Sequence, residues 1–148
     1  MTLQRPERLN AMSDPLMAAM HDAIDRIEDD FACRVVVITG AGRGFCSGFD
    51  LKDPGAMPGS DELGPVQRTL RGMREFYGVI TRLHELPQPV IAAVNEPAAG
   101  GGFALALAAD VRVASSSARF NVAFVRVGYS GCDIAVSYFL PRLIGQAR

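Results

Sequence analysis

Residues 98–110 read AAGGGFALALAAD: three consecutive glycines run into an alanine- and leucine-rich segment that carries no charge until Asp110. Inside a helix, glycine costs about 1 kcal/mol relative to alanine. Three of them where a good helix begins therefore need a reason. The first N–H groups of a helix have no intrahelical acceptor, and glycine lets another group approach them closely. The stretch follows Val90-Ile91-Ala92-Ala93-Val94, an apolar run that reads as a buried strand, and leads into a further strand at residues 111–114. Strand, glycine turn, helix and strand in succession argue for an α/β fold.

The same rhythm occurs earlier. Residues 34–39, RVVVIT, predict a buried strand that ends in the glycine-bearing turn GAGRGFCSGFDLK of residues 40–52. Before it, Ser13-Asp14-Pro15 has the chemistry of a helix start: a capping side chain, an acid in the first turn and an early proline. Leu16, Met20, Ile24, Ile27 and Phe31 follow at helical spacing and predict an amphipathic helix of about four turns. Residues 53–65, rich in proline and glycine, predict a mobile loop. Residues 66–86 predict a helix with Leu70, Met73, Tyr77, Ile80 and Leu83 as its apolar stripe, and residues 133–144 a last helix that Pro141 ends or bends.

Composition narrows the function classes. The chain has 148 residues, 49% of them hydrophobic, which suits a single domain with a core. Fifteen Lys and Arg against sixteen Asp and Glu leave a net charge of -1. That balance gives no electrostatic case for nucleic acid or an anionic membrane. The longest apolar run, at about residues 97–109, falls short of the roughly 20 residues that span a bilayer. No basic-then-apolar leader is present, and the expected location is cytoplasmic. Three cysteines, Cys33, Cys46 and Cys132, fit no zinc spacing, and with only two histidines a metal site is not expected. Cys46 and Cys132 read as small core residues and His21 and His84 as helix-face residues.

Backbone N–H groups in glycine turns suit a negative oxygen, either permanent or formed during a reaction. A permanent phosphate fits poorly. A dinucleotide fingerprint begun at Gly40 needs glycine where Phe45 stands, and a helix directly afterwards. Close packing of a helix against a sheet is the other reading of residues 100–102.

Taken together, the two turns resemble the crotonase superfamily, the enoyl-CoA hydratase/isomerase fold. RPERLNAM at residues 5–12 resembles its RP-x-x-x-NA segment, and FCSGFDL at residues 45–51 its F-x-x-G-x-D-L loop. VNEPAAGGG at residues 94–102 resembles VNGxAxGGG, with Glu96 in place of glycine, and DVRVAS at residues 110–115 the D-x-R-x-A-S strand. The resemblance implies a spiral of repeated ββα units forming one acyl-CoA-binding domain. It also implies that the N–H groups of Phe49 and Gly101 form an oxyanion hole for the thioester. Arg8, Ser47, Gly48, Asp50, Leu51, Gly102 and Phe124 are the expected substrate-binding positions. The family needs no permanent cofactor, coenzyme A being part of the substrate, and its members assemble as homotrimers or hexamers.

Hydratases of this family carry one glutamate three residues after the middle glycine and another four residues before a later glycine. Those positions are Ala104 and Phe124 here. Neither side chain moves a proton, so isomerisation is expected over hydration. Family dienoyl-CoA isomerases place an aspartate eight residues before a Leu-Pro proline. Asp133 stands eight before Pro141, which makes it the candidate acid/base; the alternative is that Asp133 only caps the helix that follows. Such chains are commonly about 250 residues or more, so a truncated member lacking the C-terminal helices is expected. Two functions follow: an enolate-forming enzyme, or a non-catalytic acyl-CoA-binding subunit.

Overall fold

The computed structural model of the protein describes residues 1–55 and 59–147. Its elements are β1 (Thr2–Leu3), α1 (Asp14–Glu28), β2 (Val36–Gly40), α2 (Pro65–Glu85), β3 (Val90–Val94), β4 (Ala98–Ala99), α3 (Gly101–Ala108), β5 (Val111–Ala114), β6 (Phe120–Asn121) and α4 (Val136–Ile144). The larger sheet runs β1-β2-β3-β5, every pair parallel, and β4 and β6 form a second, parallel pair. Cys46 bridges Ala98 and so extends the small sheet by one residue. A strand in the large sheet, a short strand in the small one and a helix therefore recur three times: β2, Cys46, α2; β3, β4, α3; β5, β6, α4. This is the expected ββα spiral.

All eight residues of α3 are buried. A helix apolar on every side belongs in a core, which accounts for its lack of charge. A side chain at Gly102 would overlap the Cys46 carbonyl oxygen, so part of the glycine run serves close packing of α3 on the small sheet. Met17, Met20 and Ile24 of α1 and Phe76, Val79, Ile80 and Leu83 of α2 complete the core. Full burial of each such side chain contributes roughly 1.5–3 kcal/mol before entropy is counted.

Several expectations need correction. α1 stops at Glu28, so Phe31 lies beyond it and is 96% exposed. Ser13 holds the N-cap backbone position but its side chain makes no capping hydrogen bond. The first strand expected to be buried is one-sided: Val36 and Ile38 face the core while Val35 and Val37 are exposed, as are Val111 and Val113 of β5, because among the described residues the helices cover one face only. On α2, Leu70 is exposed and lies outside the cavity that Met73 and Tyr77 of the expected stripe line, and Phe76 and Val79 are buried. α4 begins at Val136, after a left-handed Ala135, and runs through Pro141 to Ile144. Cys132 is exposed, unlike the buried Cys46. Of the loop expected over 53–65, residues 56–58 lie outside the described residues.

Candidate active site

The site is built where the loop of residues 46–51 passes between the N-terminal segment and the start of α3. Met12 donates its N–H to Gly48 O (2.7 Å) and accepts the Asp50 N–H (3.0 Å), forming a parallel bridge with Phe49. In such a bridge one residue makes both hydrogen bonds and the residue it faces makes neither. The Phe49 N–H is thus turned away from Met12, and it donates to no acceptor among the described residues. The Gly101 N–H, first in α3, is likewise without an acceptor there.

Glycine brings these two donors side by side. Gly48 has φ +94°, and a Cβ on it would lie 2.9 Å from Gly101 N and 2.9 Å from Ala99 O. Gly100 takes φ 53° and ψ -120°, a conformation that only glycine adopts without strain. On Gly101 a Cβ would lie 2.7 Å from two ring carbons of Phe76.

Phe49 and Gly101 both line a cavity of about 420 Å³, a size that suits a small ligand. Ser47, Gly48, Phe49, Leu51, Gly101 and Phe124 line it. Four other residues named from the sequence do not. Gly102 is packed against Cys46. Arg8 and Asp50 grip each other behind the loop: Arg8 Nη2 donates to Asp50 Oδ1 at 2.6 Å and Arg8 Nε to Oδ2 at 3.3 Å. Arg5 Nη1 adds a third bond to Oδ2 at 3.1 Å, and the Lys52 and Asp53 N–H groups donate to Oδ1. The Arg8 guanidinium, chiefly, holds the Asp50 carboxyl far below the usual carboxylate range. Asp50 is 3% exposed and fixes the loop immediately after Phe49.

Asp133, the fourth, lines an adjoining space that shares Tyr77 and Ile134 with the main cavity. It does not cap α4. Its Oδ2 accepts the Ser130 N–H at 2.7 Å and closes a turn ahead of that helix. Burial raises the Tyr77 hydroxyl pKa, and the Asp133 carboxylate adds to the rise, as does Tyr129. Ala104 is fully buried in the core.

Sequence reading missed Asp14, Tyr77 as a wall residue, and Tyr129. Asp14 reads as a helix first-turn acid, yet it lines the cavity, and burial followed by the charge of Glu75 raises its carboxyl pKa. Its position just beyond the Met12 bridge is visible only once that bridge is known. His21 and His84 are contact residues between elements: a ring nitrogen of His21 lies 3.0 Å from Glu75 O, and the His84 ring stands edge-on to Phe139 at 4.8 Å. Among the described residues no three His, Cys, Asp or Glu gather to hold a metal, and no helix is long and apolar enough to cross a membrane.

Residues 1–148 match the family described as Enoyl-CoA hydratase/isomerase. The chain is 50% identical over 99% of its length to "Probable enoyl-CoA hydratase echA12" of Mycobacterium bovis, covering 52% of that protein. It is 42% identical to the 1,2-epoxyphenylacetyl-CoA isomerase of Escherichia coli, over 100% of this chain and 55% of that one. A solved structure described as a probable enoyl-CoA hydratase/isomerase from Mycobacterium abscessus superposes with a TM-score of 0.89 at 45% identity, covering 99% of this chain and 54% of the other. The chain thus spans about half the length of the curated relatives it matches. With the ββα spiral and the paired glycine turns, these likenesses establish that the chain belongs to the enoyl-CoA hydratase/isomerase family of the crotonase superfamily.

Proposed function

We propose that the protein is an acyl-CoA-processing enzyme that stabilises a thioester enolate and favours isomerisation over hydration. The observation that carries this reading is that Phe49 and Gly101, whose N–H groups have no acceptor among the described residues, line one largely apolar cavity. Taking a proton from the carbon next to a thioester moves an electron pair onto the carbonyl oxygen. Two fixed donors stabilise that charge more than the neutral carbonyl, and one donor of this kind is worth about 3–4 kcal/mol. For a 3-enoyl thioester the Asp133 carboxylate takes the proton from C2, the dienolate charge rests between the two N–H groups, and the proton returns at C4. The double bond then lies between C2 and C3, and atoms and electrons balance with no further reactant. Hydration would need a second group to activate water, and Ala104 and Phe124 supply none. Assembly as a homotrimer or hexamer belongs to the same reading.

The position of Asp133 beside the main cavity rather than in its wall favours a second reading, an acyl-CoA-binding subunit without catalysis. Exchange of the proton next to the thioester, followed by mass spectrometry in heavy water with the full-length protein, separates the two. The enzyme exchanges that proton, and Asp133→Asn lowers the rate by about 100-fold or more. Tight binding with no exchange above the uncatalysed rate would leave the binding subunit.

A further inference from the structure

The cavity wall holds three of the chain's eight phenylalanines, Phe49, Phe76 and Phe124, and two of its three tyrosines, Tyr77 and Tyr129. These rings come from four separate places: the donor loop, α2, the one-and-a-half-turn helix Ala123–Val127 and the turn after it. No single helical stripe brings them together, so their convergence is not the by-product of one element packing on the core. Phe76 adjoins the Gly101 donor, with two ring carbons 2.7 Å from where a Cβ on Gly101 would stand. It stands edge-on to Tyr77, with centroids 6.0 Å apart and planes at 68°. Tyr129 is close enough to Tyr77 to influence its ionisation. Atoms beyond a thioester carbonyl held by the two N–H groups would enter a cavity whose wall combines these five rings with Leu51, Met73, Val127 and Ile134. Gly72, midway along α2, contributes no side chain to that wall.

We infer that the acyl group this site takes carries an aromatic ring within one or two carbons of the thioester, an arylacyl-CoA rather than a straight-chain fatty acyl-CoA. The inference rests on the proposal that the site binds an acyl-CoA thioester. Ring pairs in edge-to-face and offset geometry gain more than their buried area accounts for. An alkyl chain of equal carbon count gains area alone and loses rotamer freedom on binding.

The test is competition binding to the full-length protein with 3-phenylpropanoyl-CoA, nonanoyl-CoA and free CoA. The two acyl groups have the same number of carbons, and the saturated chain is the more apolar, so simple transfer from water favours nonanoyl. Ring recognition reverses that order, with the phenylpropanoyl ester binding about tenfold more tightly, the equivalent of one or two ring pairs. Phe124→Leu and Tyr129→Leu each lower phenylpropanoyl affinity by about threefold to tenfold and change nonanoyl affinity by less than about twofold. Nonanoyl-CoA binding as tightly or more tightly in the wild type overturns the arylacyl inference and leaves the acyl-CoA reading intact. Free CoA competing as well as either ester overturns it too, since the acyl group is then not read. If no CoA species binds, both readings fall. The wild-type comparison is decisive even where a variant does not fold.

Discussion

Asp50→Asn removes one charge and keeps the shape of the side chain, which makes it a sharp probe of the loop that carries the Phe49 donor. Oδ1 accepts three hydrogen bonds, from Arg8 Nη2, Lys52 N and Asp53 N, and Oδ2 accepts two, from Arg5 Nη1 and Arg8 Nε. The asparagine oxygen is best kept at the first position. Its NH2 group then faces two cationic donors, and two charge-assisted bonds are lost. At about 1.5–3 kcal/mol each these sum to about 3–6 kcal/mol, close to the range for breaking a buried pair. The arginine side chains are 31% and 22% exposed, so solvent screening reduces the figure to about 2–3 kcal/mol. For a chain of this size that lowers Tm by roughly 4–12 °C. The pH dependence has a fixed sign. The carboxyl pKa is lower in the folded protein than in the unfolded chain, whose value is about 3.9. Its stabilisation is therefore complete above about pH 5 and declines as pH falls below about 4, toward the folded pKa. Thermal unfolding of wild type and variant between pH 3 and pH 8 should show a gap at neutral pH that narrows on acidification. A gap under 1 °C at pH 7, or one that widens in acid, would refute the anchoring role of Asp50.

Other perturbations test neighbouring parts of the site. Gly48→Ala combines backbone strain at φ +94° with a Cβ 2.9 Å from Gly101 N and from Ala99 O; it should cost about 3 kcal/mol in a urea titration and weaken acyl-CoA binding by about tenfold or more. Wild-type affinity in a folded Gly48→Ala variant would show that the two loops need not touch. The Cys46 thiol is fully buried, and burial pushes its pKa up to about 12, whereas Cys132 is exposed. Iodoacetamide at pH 8 should therefore label Cys132 in the native protein and Cys46 only after denaturation, as peptide mass spectrometry will read directly; rapid native labelling of Cys46 would contradict the packing of the small sheet.

How much of this was legible in the sequence depended on the range of the contacts. The glycine-led, uncharged α3 was readable because burial on every side leaves a compositional mark, and the strand–turn–helix rhythm because it repeats. The small sheet was not, since its strands are Ala98–Ala99 and Phe120–Asn121 with a single bridge at Cys46, too short for any alternation. The resemblance singled out Arg8 and Asp50 as binding positions, but nothing in their spacing revealed that they bind each other across 42 residues. Phe31 continued the period of α1 although the helix had ended, because periodicity does not register a terminus. Phe76 escaped the apolar stripe because α2 turns one side to a cavity and another to the core, and Phe76 lies where the two meet. Asp14 and Tyr129 reached the cavity wall through tertiary packing alone.

The central claim is that the Phe49 and Gly101 N–H groups receive the thioester oxygen, and carbonyl polarisation reports on it directly. Isotope-edited infrared difference spectra of the full-length protein with an acyl-CoA labelled with carbon-13 at the thioester carbonyl isolate that stretch. Two fixed donors should shift it to lower frequency than in aqueous solution, and Gly48→Ala should return much of the shift. A bound ester whose carbonyl absorbs at or above its frequency in water would contradict the oxyanion hole.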